Sequence, residues 1–131
     1  MFILTVKTSD PIAEIGLFTG EGKQLGYEHW EAHRQLADTI HEKIRLLLAK
    51  QHIKLPQIGG VVCYEGPGSF TGLRIGLSVA NSISYSLQIP ITGSQGKNWL
   101  DKGLKSLLAE PDQKPVMPFY GAPVHITPPK K

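Results

Sequence analysis

The stretch GPGSFTGLRIG, residues 66–76, lies between an apolar run that predicts a strand and an amphipathic run that predicts a helix. A glycine-rich loop that leads into a helix N-terminus is typical of phosphate sites, because its backbone N–H groups converge on one anion. The stretch has neither the Gly-Lys-Ser/Thr ending of a Walker loop nor the GxGxxG spacing of a dinucleotide site. On this interpretation an anion or nucleotide site would be formed by Gly66, Gly68, Ser69 and Thr71.

The same stretch also suits a purely architectural turn. Pro67 fixes one φ angle and Gly68 can adopt a positive φ, which together predict a type II turn. Ser69 or Thr71 can cap the helix by accepting a hydrogen bond from a backbone N–H group. The composition of the loop fits both interpretations.

Beyond the turn, small residues repeat along one face of the predicted helix. Gly72, Gly76 and Ala80 are spaced four apart, so they form a stripe without side-chain bulk. Glycine inside a helix costs ~1 kcal/mol relative to alanine, which suggests a compensating contact. We therefore expect another helix to approach closely along this stripe, either within the domain or from a partner.

Outward from this stretch, hydrophobic periodicity predicts a succession of strands and helices. The predicted strands are residues 2–6, 12–18, 24–30, 58–64 and 89–93, and the predicted helices are residues 31–51, 71–87 and 99–109. Short turns join the first three strands, which predicts an antiparallel meander. The order predicts an α/β fold of the ribonuclease H-like type, with a mixed five-stranded sheet and helices packed on it. Residues 1–109 form the predicted domain, and residues 110–131 a proline-rich tail that docks on it with a frayed end.

Length and composition limit the classes of function that the chain can have. The 131 residues allow one domain, and a net charge of +3 without a basic stripe is not the pattern of a nucleic-acid surface. Cys63 is the only cysteine, which excludes an intrachain disulfide and a cysteine metal cluster, and we expect a buried thiol. No apolar run reaches the ~18 residues of a membrane span, and the opening MFILTV does not resemble a signal peptide, so we expect a cytoplasmic location.

Candidate catalytic residues are few. The first predicted strand ends in Lys7, where a nucleotide- or metal-handling protein of this fold would carry a carboxylate. Glu65, beside the loop, is a candidate general base, but no nucleophile or second carboxylate accompanies it in the sequence. The histidines lack the spacing of metal ligands; they are His29, His33, His41, His52 and His125. The sequence predicts no catalytic constellation, no metal site and no cofactor.

Across residues 66–76 the sequence resembles the corresponding loop of the TsaB (YeaZ) family at every position. Residues 77–80 and 89–91 also fit the helix and the strand that follow in that family. The opening FILTVKTSDP resembles the family's first strand, which ends in Asp-Thr-Ser, with Lys7 in place of the aspartate.

The resemblance extends to the first helix and to the end of the chain. Arg34 matches the family's helix pattern and Asp38 matches it conservatively, while residues 118–128 resemble the family's C-terminal tail, with Gly121 where arginine is common. The resemblance thus covers both ends of the chain around an internal gap. This predicts a short form without the second subdomain of the family.

This resemblance implies an actin-like ATPase (ASKHA) ancestry and a role as a non-catalytic subunit. TsaB proteins belong to the bacterial complex that installs the threonylcarbamoyl group on adenosine in transfer RNA. In the family, two helices of the first subdomain pack against the catalytic subunit TsaD, and similar surfaces can pair two copies of TsaB. Contact with transfer RNA would be indirect, and a TsaE-type ATPase is a further candidate partner. The residues implied for the partner contact are Arg34, Leu36, Ile40, Ile44, Gly72, Leu73, Gly76 and Ala80.

Two other functions remain open. One is a small nucleotide-binding or hydrolase remnant that uses Ser69, Thr71 and Glu65 of the glycine-rich loop region. The other is a homodimer without a catalytic role, which self-associates through the same helices.

Overall fold

The computed structural model describes residues 1–120, apart from the side chain of His33. Within that range the strands are β1 (Phe2–Lys7), β2 (Ile12–Thr19), β3 (Gln24–Glu31), β4 (Ile58–Gly66) and β5 (Ile91–Gln95), and the α-helices are α1 (Leu36–Lys50), α2 (Phe70–Leu87) and α3 (Trp99–Ala109). Single 3₁₀ turns at His33–Gln35 and Leu55–Gln57 precede α1 and β4. The predicted elements are all present; α3 has the predicted ends, and each other element is shifted at one or both ends.

The strands form one five-stranded mixed sheet in the order β3-β2-β1-β4-β5. Strands β1, β2 and β3 pair antiparallel, as expected for short connections, and this confirms the predicted meander. Strand β4 pairs parallel with β1 and with β5, because a helix separates each from the preceding strand. The carboxyl ends of β1, β4 and β5 therefore meet at one edge of the sheet.

The sheet separates two apolar clusters, since alternate side chains of a strand point to opposite faces. On one face Leu4 and Val61 pack beneath α1 and α2. On the other face Ile3 and Val62 pack against α3, which contributes Trp99 among other side chains. Helices α1 and α2 consequently lie side by side on the same face of the sheet.

Two element ends differ from the prediction for identifiable reasons. Strand β3 continues to Glu31, because Glu31 still pairs with Ile12 and the N–H of Ala32 donates to the Pro11 carbonyl. Helix α1 therefore starts later than residue 31. Strand β5 begins only at residue 91, since Gln88 has a φ of 57° and the N–H of Ile89 still donates to Ser84 at the end of α2.

Residues 111–120 run along the edge of β5 and over the carboxyl edge of the sheet. The N–H of Ile91 donates to the Asp112 carbonyl at 2.8 Å, and the N–H of Phe119 donates to the Glu65 carbonyl at 2.7 Å. Between them the Asn81 amide bonds both backbone groups of the buried Val116, each at 2.9 Å. The predicted frayed end, His125 and residues 121–128 of the family-like tail lie outside the described residues.

Candidate functional site

The glycine-rich loop closes onto the segment that follows β1. Ser69 caps α2 by accepting a bond from the Gly72 N–H at 3.5 Å, and its own N–H donates to the Ser9 carbonyl at 2.8 Å. A Cβ atom at Gly68 would lie 2.3 Å from the Cβ of Ser9. Only glycine therefore fits at position 68. Ser9 occupies the space on this side of the loop.

The predicted type II turn is wrong in its assignment of the positive φ. Gly66, at the end of β4, has a φ of 135°, whereas Gly68 is not in the positive region. A Cβ at Gly66 would lie 1.7 Å from the carbonyl oxygen of Phe119, so the tail segment also requires glycine there. The Pro67 carbonyl accepts a hydrogen bond from the Tyr64 hydroxyl at 2.9 Å, which ties the turn to β4.

The small-residue stripe of α2 faces the chain's own sheet, so the prediction that it is open to another helix is wrong. A Cβ at Gly72 would lie 2.3 Å from the Thr8 carbonyl oxygen, and a Cβ at Gly76 only 2.0 Å from Thr8 Oγ1. Thr8 Oγ1 donates to the Gly72 carbonyl at 2.7 Å, and Ala80 is 0% exposed in the core. The stripe exists because α2 lies directly on the end of β1.

Of the other residues implied for the partner contact, most are buried and one is exposed. Leu36, Ile40 and Ile44 are buried beneath α1, and Leu73 is buried beneath α2. Arg34, which precedes α1, is exposed. Any contact that α1 and α2 make with another chain must therefore use the opposite, outward face of these helices.

Helices α1 and α2 leave an apolar groove between them, which we call the α1–α2 furrow. Its main part has a volume of about 730 Å³ and extends over the residues that follow α1. A second depression of about 580 Å³ continues it toward the start of α2 and shares His41 and Val79 with it. The aliphatic floor consists of Ile44, Leu48, Ile53, Val79, Ile83 and Leu87, and the rim includes His41, Arg45, Ala49, His52, Lys54, Ser82 and Ser86.

These rim residues are the part of the site that sequence reasoning missed. Ser78, Ser82 and Ser86 recur at the spacing of one helix face, and His41, Arg45 and Ala49 do so on the other helix. This periodicity is visible in the sequence, but the glycine stripe is the stronger pattern, and it marks the inward face of α2.

Comparisons with known proteins identify the family of the chain. Residues 30–100, which include α1, β4 and α2, match the profile of the family described as TsaD, tRNA N6-adenosine threonylcarbamoyltransferase. The tRNA threonylcarbamoyladenosine biosynthesis protein TsaB of Buchnera aphidicola subsp. Baizongia pistaciae is 44% identical over 55 residues, 42% of this chain and 23% of that protein. The chain belongs to the TsaB (YeaZ) family.

Two further members of the TsaB family match most of the chain. The TsaB protein of Escherichia coli is 26% identical over 121 residues, 87% of this chain and 51% of that protein. The structure of YeaZ from Pseudomonas aeruginosa superposes with a TM-score of 0.66 at 26% identity, covering 72% of this chain and 43% of the other. The chain thus spans between about a quarter and about half the length of the Buchnera and Escherichia TsaB proteins that it matches.

The fold extends beyond the TsaB family. RuvC from Thermus thermophilus superposes with a TM-score of 0.51 at 13% identity, over 85% of this chain and 70% of the other. Together with the sheet order, this confirms the predicted ribonuclease H-like fold. Within residues 1–120, no helix combines the length and apolar composition that a membrane crossing needs.

The residue that departs from the TsaB resemblance, Lys7, is bound by the chain's own carboxylates. Its Nζ lies 3.2 Å from Asp10 Oδ2 and 3.8 Å from Glu14 Oε2, and 4.9 Å from the centre of the Tyr64 ring. An ammonium group held between two carboxylates cannot take the place of a metal-binding aspartate. Nearby, Glu65 accepts a hydrogen bond from the Gln95 side chain.

The remaining reactive side chains of this TsaB-family chain lie apart from one another. Cys63 is buried in β4, and burial, followed by the charge of Glu65, raises the pKa of its thiol far above the ordinary range. His29 lies on β3 with its ring 5.7 Å from that of Tyr27, whereas His41 and His52 line the furrow. Among the described residues, no three His, Cys, Asp or Glu side chains are grouped so that they could hold a metal ion.

Proposed function

We propose that this chain is the TsaD-binding part of a TsaB-type protein and that the α1–α2 furrow is its docking surface. In this proposal the chain supports the formation of threonylcarbamoyladenosine in transfer RNA by binding a TsaD-type threonylcarbamoyltransferase, and performs no chemistry itself. The observation that supports it is an open, aliphatic furrow on the two helices that lie within the TsaD-like region of the sequence.

The furrow has the shape that helix packing requires. Its floor is aliphatic, and an exposed apolar groove of this size on a small domain is typical of an interaction site. Ala49, Ser82 and Ser86 on its rim are short, so they permit a partner helix to approach both α1 and α2 closely. In the proposal, Arg34, which is exposed in the 3₁₀ turn before α1, extends the contact.

The buried residues that the family resemblance implied keep an indirect role in this proposal. Leu36, Ile40 and Ile44 fix α1 on the sheet, while Gly72 and Gly76 fix the distance of α2 from the sheet. Leu36, Ile40 and the two glycines determine the shape of the furrow from beneath and do not contact the partner, whereas Ile44 also lines its floor.

The glycine-rich loop is not proposed as a nucleotide site. Ser9 and Thr8 occupy the space beside Gly68 and Gly72, and Phe119 of the tail segment occupies the space beside Gly66. The N–H of Ser69 also donates to the Ser9 carbonyl and the N–H of Gly72 to Ser69 Oγ, so these two groups are already bonded within the chain and are not free for a phosphate.

A bulky side chain in the furrow tests the proposal. In Ala49→Trp the indole would fill the groove from the exposed face of α1, and Ser106→Trp on the exposed face of α3 is the matched control. We expect the unmodified chain and S106W to form a complex with TsaD from the same genome in sedimentation velocity, and A49W to lose at least ~10-fold in affinity because the partner helix is displaced.

Circular dichroism must show that both tryptophan variants are folded. Equal binding of TsaD by A49W and S106W would exclude the furrow as the docking surface. Failure of the unmodified chain to bind TsaD would exclude the function itself.

A further inference from the structure

Strand β3 forms one outer edge of the sheet, and within residues 1–120 no further strand lies beside it. The N–H of Ala32 donates to the Pro11 carbonyl, and hydrogen-bonded pairs alternate with non-bonded pairs along an antiparallel ladder. In the register of β2 and β3, the backbone of Glu28 therefore faces β2, whereas the N–H and C=O groups of Tyr27 and His29 face outward. The edge thus presents backbone groups that β2 does not use to any extended chain beside it.

The other side of β2 gives the same assignment. The N–H of Gly20 donates to the Met1 carbonyl, so in the register of β1 and β2 the backbone of Gly16 faces β1. The preceding residue, Ile15, therefore faces β3, where it lies opposite Glu28. At the far edge of the sheet, residues 111–120 already run along β5, which leaves β3 as the more open edge.

A depression of about 320 Å³ lies beside this edge, between β3 and the flank of α1 that faces away from α2. An extended segment added to β3 would point every second side chain over the depression, because side chains alternate between the two faces of a sheet. Leu46, which is 42% exposed, offers these side chains an aliphatic surface. The depression is lined by Glu28, Lys43, Leu46, Leu47, Ala49 and Lys50.

The charges that line the depression do not balance. Among its described lining residues, Glu28 is the one carboxylate, and it lies 3.6 Å from Lys43 Nζ and 4.0 Å from Lys50 Nζ. The Lys50 side chain is 70% exposed, so its ammonium group can pair with a second carboxylate. A segment that carries a carboxylate at this position would therefore match the excess positive charge.

We propose that the β3 edge binds an extended segment of a partner protein, which adds as a further strand and carries an apolar residue and a carboxylate two positions apart. The backbone groups of Tyr27 and His29 hold the segment, its apolar side chain covers Leu46, and its carboxylate pairs with Lys50. On the other face of the sheet, its remaining side chains lie beside the exposed rings of Tyr27 and His29, whose centres are 5.7 Å apart. This surface lies on the opposite flank of α1 from the α1–α2 furrow and goes beyond the proposed function.

A second copy of the chain fits this edge less well. In a two-fold pairing that joins Tyr27 of one copy to His29 of the other, each Glu28 lies directly opposite the same glutamate, because position 28 is midway between them. The depression would also face its own copy, so Lys43 and Lys50 would meet the same lysines. Like charges directly opposite one another on paired strands are destabilising, whereas an acidic segment meets the lysines with opposite charge.

Removal of one outward N–H group tests the proposal. Proline at position 29 deletes a donor that β2 does not use, which edge strands tolerate, while His29→Ala is the matched control that keeps the N–H. The probe is the peptide acetyl-STVTLTETS-amide, in which leucine and glutamate are two positions apart. In an NMR titration we expect the peptide to shift the amide signals of residues 26–30, and H29P to bind it at least ~5-fold more weakly than H29A.

Circular dichroism must show that H29P is folded. If it is not, the pair Y27P and Y27A makes the same comparison at the other outward position. Equal binding by the proline and alanine variants, or no shift in β3 at about 2 mM peptide, would exclude the proposal.

An exchange of charge tests the contact with Lys50. We expect the unmodified chain to prefer STVTLTETS over STVTLTKTS by about 3-fold, and K50E to show the reverse preference. K105E, on the exposed side of α3, should keep the preference of the unmodified chain. The same preference in K50E and K105E would show that the carboxylate of the segment does not lie over Lys50.

Other occupants have their own outcomes. If H29A is a dimer in sedimentation equilibrium and H29P is a monomer, a second copy occupies the edge and the proposal is wrong. If H29P loses TsaD from the same genome while H29A binds it, the edge belongs to the TsaD contact and a separate surface is excluded.

Discussion

Thr8 is a buried polar residue whose side chain is held by helix α2. Its hydroxyl donates to the Gly72 carbonyl, and its Oγ1 and methyl group fill the space that a side chain at Gly76 would need. No local pattern in the sequence indicates this contact, since the partners are more than sixty positions apart and only the fold brings them together. The sequence indicates that glycine is needed at these positions, but it does not indicate which residues lie so close that only glycine fits.

A methyl group at Gly76 should destabilise the domain. In G76A the new Cβ would overlap Thr8 Oγ1 at 2.0 Å, and relieving this overlap costs about 1–3 kcal/mol of unfolding free energy. The control is G20A, whose Cβ would lie at an ordinary 3.5 Å from Met1. Urea unfolding followed by circular dichroism measures both variants, and equal midpoints for G76A and G20A would contradict the packing of α2 on Thr8.

Tyr27 should titrate at unusually high pH. Although Tyr27 is 44% exposed, its partial burial, followed by the hydrogen bond that its hydroxyl donates to Glu14 at 2.9 Å and by the charge of Glu14, raises its pKa from 10.0 to about 12. Because the folded-state pKa lies above the unfolded one, this contribution to stability is complete below pH 10 and is lost between pH 10 and about 12.

Tyrosinate absorbance during a pH titration measures this pKa. The Glu14→Gln variant removes the negative charge, so the pKa of Tyr27 should fall, and Tyr27→Phe should remove this titration step altogether. A high-pH step that survives Y27F unchanged would assign the raised pKa to another residue.

At the scale of elements, the middle of residues 111–120 is attached to the domain through the Asn81 side chain. The Asn81 amide bonds both the N–H and the C=O of Val116, whose side chain lies in the main apolar cluster. Exposed Met117 and half-exposed Phe119 contribute less burial. Asn81 thus fixes the middle of the segment, between the backbone bonds from Ile91 to Asp112 and from Phe119 to Glu65.

Replacement of Asn81 should release the segment. N81A removes two hydrogen bonds, each worth about 0.5–1.5 kcal/mol, so amide exchange at residues 116 and 119 should accelerate by about 10- to 100-fold while α2 stays protected. Tyr85→Ala, at an 80% exposed position of the same helix, is the control. Unchanged exchange in N81A would show that other contacts hold the segment.

The elements themselves were predictable, but several of their boundaries were not. Alternation and helical periodicity identify the strands and helices because burial on one face selects for them. The end of β3 at Glu31 and the start of β5 at Ile91 depend instead on backbone hydrogen bonds to Pro11 and Ser84. Such bonds do not require particular side chains and therefore leave no trace in the sequence.

For the whole molecule, the sequence predicted the fold and the positions of α1 and α2 but not which face of α2 is exposed. Small residues four apart are found wherever a helix approaches another backbone, whether that backbone is a helix or a strand end. Gly72 and Gly76 meet the end of β1, so the stripe faces inward. The exposed face carries serines, histidines and arginines, which resemble an ordinary solvated surface until the tertiary structure shows the furrow between them.

The position of α2 links the inside of the domain to its outer surface. Thr8 and the two glycines determine how far the helix axis stands from the sheet, and α2 is also one wall of the furrow. Thr8 thus sets the spacing between α2 and β1. A larger side chain at position 8 would move α2 away from the sheet and change the width of the furrow. In the proposed complex, a buried residue that does not contact TsaD would thereby change how well TsaD fits the furrow.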